Sequence, residues 1–489
     1  MTAIGPSTIE NLRSRLTTAT VLTPVSKGYN ESLIRWSDTG RKQAGVVVQP
    51  IDIADIQAAL LWAQEHSVDI AVKGGGHSTA GTSSSEGGLV IDLSRMTNVS
   101  VDVSSKTITA QGGATWKEVD EAGAAHGLAT VGGTVNHTGI GGLTLGGGYG
   151  WLSGQYGLAI DNLRSARVVL ADGSLVTASA TENPDLFWGL RGAGYNFGVV
   201  VEFTYQAYDQ SPLVYAGILG FSSDKLEPII QQLNGTLANP DARSGAMCIF
   251  AQAPDGSGPI IIVICFYNGT REEGQDRFSG FLALEPLLNT VDMVPYSVVN
   301  TLQNHQATYG DRKSFKGIFY EPPLDPGFMR SVFEEFMAKL QSDVDLMPSA
   351  IILEFIDMRK ICETSLPATA FASRNMTQNG ILYMRWTDPT KDLEHRTWAR
   401  GVQAKWKAEL ETKKRDLNSS NDVPQYINYA ERKLSCFAKE MMISSLLLTL
   451  ITAGDSVVTN IYGENLARLQ SIKAQYDPHN VFHKMHPIP

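Results

Sequence analysis

The stretch GGTVNHTGIGGLTLGGGYGWLSGQYG, residues 132–157, carries nine glycines between Gly139 and Gly157 in an otherwise apolar setting. Each of them costs backbone entropy when the chain folds. Tight turns account for some; backbone N–H groups brought against a phosphate account better for the density. Two familiar phosphate loops are excluded by spacing. A G-x-G-x-x-G frame opening at Gly139 requires glycine at 144, where Thr144 stands, and GxxxxGK(S/T) occurs nowhere. The expectation is a dinucleotide site of another design.

Upstream, VKGGGHSTAG (Val72 to Gly81) presents one imidazole, His77, after three glycines. Around these two stretches lie short β-branched runs that end in turn residues: GVVVQP, IAVKGGG, GLVIDL, KTITAQGG, ARVVLADGSLV and FGVVVEFTY. Ile53, Ile56, Leu60 and Ala63 have helical spacing behind Asp52, a natural cap, which makes a crossover helix. Residues 1–205 therefore read as an α+β domain. From residue 206 glycine thins out. Amphipathic DKLEPIIQQLNGTL and PGFMRSVFEEFMAKLQSDV alternate with strands MCIFAQA, IIIVICFY, AIILEFID and ILYMRW. Residues 206–430 read as a second domain, a sheet with helices on one face. NIYGENLARLQSIKAQYDPHNVF reads as a closing helix stopped at Asp477-Pro478.

A chain of 489 residues exceeds what one core usually supports, in keeping with two domains. A net charge of -10 argues against a nucleic-acid partner. The longest apolar stretch, MMISSLLLTLITA (Met441 to Ala453), is too short and too polar for a membrane span. The N-terminus has no basic and apolar leader, so an intracellular location is expected, with secretion left open. No cysteine or histidine spacing suggests a metal site. A hairpin symmetric about PDGSG would set Cys248 opposite Cys265, most simply as free thiols.

Together, VKGGGHSTAG, GATWKEV, GTVNHTGIGGLTLGGGYG, DNL, NPDLFWGLRGAGYNFGVV and YGENLARLQSIKAQYDPHNVF resemble the FAD-linked oxidases with a PCMH-type flavin domain, in the berberine-bridge-enzyme-like branch of the VAO superfamily. The resemblance runs from about residue 40 to the end. It implies a two-domain α+β flavoprotein, with an FAD-binding domain made by the N-terminal part plus the returning C-terminal tail. The substrate domain would be an antiparallel sheet covered by helices. It assigns His77 as the residue that bonds covalently to the flavin 8α-methyl carbon. Pyrophosphate would rest on Gly74, Gly75, Gly76, Thr79, Gly141 and Gly142, within a loop that includes Lys73, Ser78 and Gly81. The Gly146, Gly148, Tyr149 and Gly150 run, with Gly198 and Val200, would cover the ribityl chain and ring. Some relatives form a second bond through a cysteine; here Val135 stands at that position, between Thr134 and His137, so one attachment is expected. Thr138 falls where oxygen access is controlled. Asn480 is the expected contact from the tail.

On the substrate side, Tyr426-Ile427-Asn428-Tyr429 resembles the family's YxNY segment, whose first tyrosine would be base or hydrogen-bonding group. Core tyrosines on an alternating strand are the simpler alternative. Period-2 alternation puts Ile381, Tyr383 and Arg385 on one strand face, and Glu354 on a face with Ile352 and Ile356. A carboxyl on an apolar strand is costly unless it meets water, a partner or a ligand. Catalytic acid or base and half of a buried pair both satisfy that condition. One segment departs from the family: AERKLSCFAKEMMISSLLLTLITAGDSVVTN, from Ala430 to Asn460. The reading is an FAD-dependent oxidase taking hydride from an alcohol, an amine or a secondary-metabolite intermediate, with dioxygen as acceptor. The alternatives are a dehydrogenase with another acceptor and a flavoprotein that guides a cyclisation.

Overall fold

The structure, a computed structural model, describes residues 4–416, 426–430 and 454–489. Most of the atypical segment, residues 431–453, lies outside the described residues.

Val46–Gln49, Leu89–Asp92 and Ile70–Lys73 form a parallel set, with the short strand Thr20–Leu22 antiparallel at one edge. The crossover expected after the first of these is the helix Ile53–Glu65, and Asp52 caps it by accepting from the Asp55 N–H. Its apolar stripe packs Ile56, Leu60 and Ala63 against the sheet. A second, five-stranded antiparallel sheet follows, in the order Val99–Asp102, Thr107–Gln111, Val199–Gln206, Leu163–Val169, Leu175–Ser179. The first glycine loop leaves the carboxyl end of the strand Ile70–Lys73, which in parallel sheets is the ligand-binding edge.

From Leu213 the chain builds an eight-stranded antiparallel sheet whose centre runs Pro259–Tyr267, Ser244–Gln252, Ala350–Ile356, Gln378–Trp386. Alternation sorts its two faces. Ile351, Leu353, Phe355, Leu382, Met384 and Trp386 pack with the helices Leu226–Ala238, Pro326–Ser342 and Asp392–Asp416. Met247, Ile249, Ile264, Ala350, Ile381 and Tyr383 face the other way, toward Trp36, Val131 and Trp151. That second face is covered by the glycine loops together with short helices such as Tyr296–Val299.

Two expectations need correction. Cys248 lies opposite Val263, and Cys265 opposite Ala246, so the thiols are not cross-strand partners; both are buried and free. The ladder closes at Gln252 and Pro259, so the hairpin loop is not centred on PDGSG. The closing helix is two, Gly454–Tyr462 and Leu466–Tyr476, separated by a tight turn in which Gly463 has a φ of +51°. Leu469, Ile472, Met485 and Ile488 return to the core around Trp188 and Phe203, and Lys473 pins the tail through the carbonyls of Asn196 and Phe482, both at 2.8 Å.

Candidate active site

A cavity of about 900 Å³ separates the open face of the large sheet from the glycine loops. Gly74, Gly75, Gly76, His77, Ser78 and Thr79 line it from one loop; Thr134, Val135, Thr138, Gly141, Gly142 and Tyr149 line it from the other, and Gly198 and Val200 complete that wall. The loops cross in contact. A Cβ on Gly75 would come within 2.7 Å of the Gly139 Cα, so neither position tolerates a side chain without displacing backbone. The N–H groups of Gly75, Gly76, His77, Ser78 and Thr79 have no backbone acceptor among the described residues, and nor do those of Gly141 and Gly142. Such a row of unpaired donors on a cavity wall suits a pyrophosphate. Ser83 adds a buried hydroxyl without a partner on the same wall. Val72, Leu145, Val200 and Phe203 supply apolar surface for a planar ring. The donor set and the apolar wall fit FAD.

His77 stacks flat on Trp36, with ring centroids 4.6 Å apart and planes 11° from parallel. Its Nε2 lies 2.9 Å from Nδ1 of His137. Burial lowers the His77 pKa well below its usual value, and the neighbouring His137 and Lys313 push the same way, so the ring is neutral at pH 7. Lys313 sits 4.9 Å over Trp36 and donates to the Trp36 carbonyl at 2.8 Å.

On the sheet side, Glu354 is 4% exposed. Its Oε1 accepts from the Tyr429 hydroxyl at 2.8 Å, while Oε2 is buried without a partner. Burial raises the Glu354 pKa to about 7, and the Tyr429 hydrogen bond offsets only part of that. Tyr383 also lines the cavity, with its buried hydroxyl beside the Arg385 guanidinium. Around these groups the lining is apolar: Met247, Ile249, Ile264, Phe315, Ile352 and Ile381. A carboxyl poised near neutrality, on a residue that lines the cavity, is suited to exchange a proton with a bound molecule.

The two tyrosines of the YxNY segment have different tasks. Ile427–Tyr429 forms a 3₁₀ turn rather than a strand, so Tyr426 and Tyr429 fall on one side with ring centroids 4.7 Å apart. The Tyr426 oxygen accepts from Asn428 Nδ2 at 2.8 Å and from the Gly148 N–H at 3.2 Å. Burial raises its pKa, and the nearby Glu354 adds to that, which disfavours the phenolate. Asn428 also donates to the Leu143 carbonyl at 3.0 Å and touches the Tyr195 hydroxyl, bracing the glycine run. Tyr429, rather than Tyr426, meets the carboxyl.

Several residues expected at the site stand outside the cavity. Arg385 shares a strand face with Tyr383 but is held by Asp311 at 2.7 Å. Asn480 is on an exposed turn with a φ of +51°, because Asp477 caps that turn through the N–H groups of Val481 and Phe482. Phe482, Lys484 and Met485 line the cavity in its stead. Lys73 pairs with buried Asp92 at 3.2 Å. Gly81 packs against Gly40, a layer behind the loop, and Gly146, Gly148 and Gly150 lie behind the second wall, against Asn428, Ala159 and Gly132. His137 acts on His77 rather than lining the cavity itself. Trp36 and Phe315 went unread in the sequence; neither sits in a motif, and only the fold brings them here.

Comparison with known proteins agrees with this geometry. A family model described as an FAD binding domain matches residues 44–179, and one described as berberine and berberine like matches residues 425–489. The FAD-linked oxidoreductase pgmH of Aspergillus terreus is 35% identical over 99% of this chain and 96% of its own. The FAD-linked oxidoreductase hasG of Aspergillus fumigatus is 30% identical over 77% of this chain and 82% of its own. Two solved structures share the fold at 21% identity. BBE-like 1 of Physcomitrella patens has a TM-score of 0.79, with 99% of each chain covered. A chitooligosaccharide oxidase has a TM-score of 0.78 over the same shares. With its glycine-loop cradle, its helix-backed sheet and these relatives, the chain belongs to the FAD-linked oxidoreductases of the berberine-bridge-enzyme-like family.

Proposed function

We propose that this enzyme oxidises a small, largely apolar alcohol, phenol or amine, with FAD tethered covalently through His77 and dioxygen as final acceptor, giving hydrogen peroxide. The observation that carries this reading is the Glu354–Tyr429 pair on the wall of an apolar cavity, with the second carboxyl oxygen buried and without a partner. When bound, FAD supplies the two-electron acceptor. The protein's own part is to bind, orient and deprotonate. Glu354 takes the proton from the substrate heteroatom, and Tyr429 holds that carboxylate in place. Tyr383 offers a hydroxyl to the same atom. Met247, Ile249, Ile352 and Ile381 exclude water around it, which suits an apolar molecule better than a sugar. Val135 has no group that could form a second bond to the cofactor, in keeping with single attachment. Thr138, on the cavity wall, leaves room for a small molecule such as dioxygen beside the loop.

Acid denaturation tests the tether. The parent protein is expected to keep its flavin fluorescence on the polypeptide, and His77→Ala to release it. Flavin released from the parent defeats the tether; flavin retained by the variant moves it to another side chain. Anaerobic mixing with candidate alcohols, phenols and amines is expected to bleach the flavin, and air to restore it with peroxide. Slow recovery in air but fast recovery with an artificial acceptor makes the enzyme a dehydrogenase. Product formed without oxygen uptake makes it a guide for cyclisation.

A further inference from the structure

Strand register lays the cavity floor out in rows that begin at the reacting end and run to the edge of the sheet. From Glu354 one row passes through Met247, Ile264 and Ile218, each opposite the next on neighbouring strands. Beside it a second row passes through Ile381, Ile352, Ile249, Ile262, Gly220 and Leu288. Every one of these residues lines the same cavity. Strands lie about 4.8 Å apart, so the four spacings from the strand of Glu354 to that of Leu288 make about 19 Å. Glu354 is the one charged side chain in the two rows, and it stands at their inner end. Burial falls off away from it. Ile264 and Ile249 are buried, Ile218 and Ile262 are half-buried, Leu288 is 49% exposed and its neighbour Leu287 is 77% exposed. The Leu287 N–H donates to the Gly220 carbonyl at 2.8 Å, which fixes this leucine pair at the outer end. Gly220 keeps the second row open, since a Cβ there would stand 3.1 Å from the Leu288 Cβ. Val135 and Leu302 line the cavity too and pack with the same floor. A floor of this kind has no hydrogen bond to give a hydroxylated chain, and it gains free energy when hydrocarbon covers it.

We propose that the outer floor is a subsite for a hydrocarbon tail, so that the substrate is an amphiphile. Its alcohol, phenol or amine head lies at Glu354, and an uncharged chain runs over Ile264, Ile262 and Ile218 toward Leu288. The placing of the head rests on the base role proposed for Glu354; the tail rests on the floor itself. The head enters first and the chain trails to the mouth, where the exposed leucines meet it. Ile262 and Ile218 are then specificity-determining residues, which select for chain length at a distance from the reacting atoms.

The test titrates 4-n-alkylphenols, from methyl to octyl, into the holoenzyme without oxygen and reads Kd from the flavin absorption spectrum. In the parent, Kd is expected to fall about 4-fold per added methylene, the equivalent of ~0.8 kcal/mol, and to level off once the chain passes the edge of the floor. Ile262→Trp puts an indole into the space that Gly220 leaves open. It is expected to weaken octylphenol about 10- to 100-fold and methylphenol less than about 2-fold, because only the long chain reaches residue 262. Should that variant fail to purify, Ile262→Asn on the same half-exposed position is read by the same rule. A Kd that does not change along the series in the parent overturns the tail subsite. So does an octylphenol Kd in the variant equal to the parent's, since the chain then lies elsewhere; a shift from dimer to monomer on gel filtration would in that case give the floor to a second copy of the chain. The series on Glu354→Gln tells the two readings apart. A retained slope with flavin reduction undiminished defeats Glu354 as base and leaves the tail subsite standing, whereas no slope in the parent with reduction lost in Glu354→Gln does the reverse.

Discussion

Burial of the Glu354 carboxyl penalises the anion more than the acid, and moves its pKa from 4.5 to about 7. For the proposed role of Glu354 as base, the consequence is that the carboxylate predominates only above that value. Flavin reduction by substrate is expected to rise with pH through about 7, and Glu354→Gln to flatten the profile and slow reduction about 10²- to 10⁴-fold, as read by anaerobic stopped-flow. The stability consequence has the opposite sense. A folded-state pKa above the unfolded one gives stability that is present at low pH and lost as pH rises through about 7. Glu354→Gln is therefore expected to melt higher than the parent at pH 8, by the equivalent of about 3 kcal/mol, and to match it near pH 4. Tyr429→Phe removes the hydrogen bond that lowers the Glu354 pKa, so its acid limb should move to higher pH. At this scale the sequence showed both tyrosines and the carboxyl, but not which tyrosine meets it. Strand alternation would have separated Tyr426 from Tyr429 by face; the 3₁₀ turn puts residues three apart on one side.

Between elements, the decisive contact is the crossing of the two glycine loops. Gly75→Ala places a methyl group into the Gly139 backbone, and neither loop can yield without spreading the row of N–H donors. The variant is expected to fold with the large sheet intact and to purify with little bound flavin, checked by absorbance ratio and circular dichroism. Glycine density pointed to this cradle because no other residue allows backbone to approach so closely. Alternation likewise made the faces of Ala350–Ile356 and Gln378–Trp386 readable, since side chains must point to opposite sides. Hairpin register was not readable from composition. The Cys248–Val263 pairing depends on loop residues from Ala253 to Gly258, whose conformation a symmetric reading of PDGSG does not supply.

Across the whole molecule, the tail closes the structure from far away in sequence. Phe482, Met485 and Ile488 are buried, and Lys473 and Asp477 form a buried pair at 2.7 Å beneath them. A chain ended at Asn480 exposes the surfaces these three side chains cover, at about 1.5–3 kcal/mol each. Its melting temperature should fall and its flavin should be lost on gel filtration, because Phe482 and Met485 also line the cavity. The sequence by itself determined the α+β class and the helix-backed second sheet, because these are written locally as periodicity and turn chemistry, and it pointed to FAD through the family resemblance that its glycine-rich motifs carry. Tertiary structure alone decided that Trp36 stacks on His77, that Arg385 is held by Asp311, and that Phe482 rather than Asn480 reaches the cavity. Those outcomes depend on which distant groups compete for the same hydrogen bond or the same space, and such competition is settled only when the chain has closed on itself.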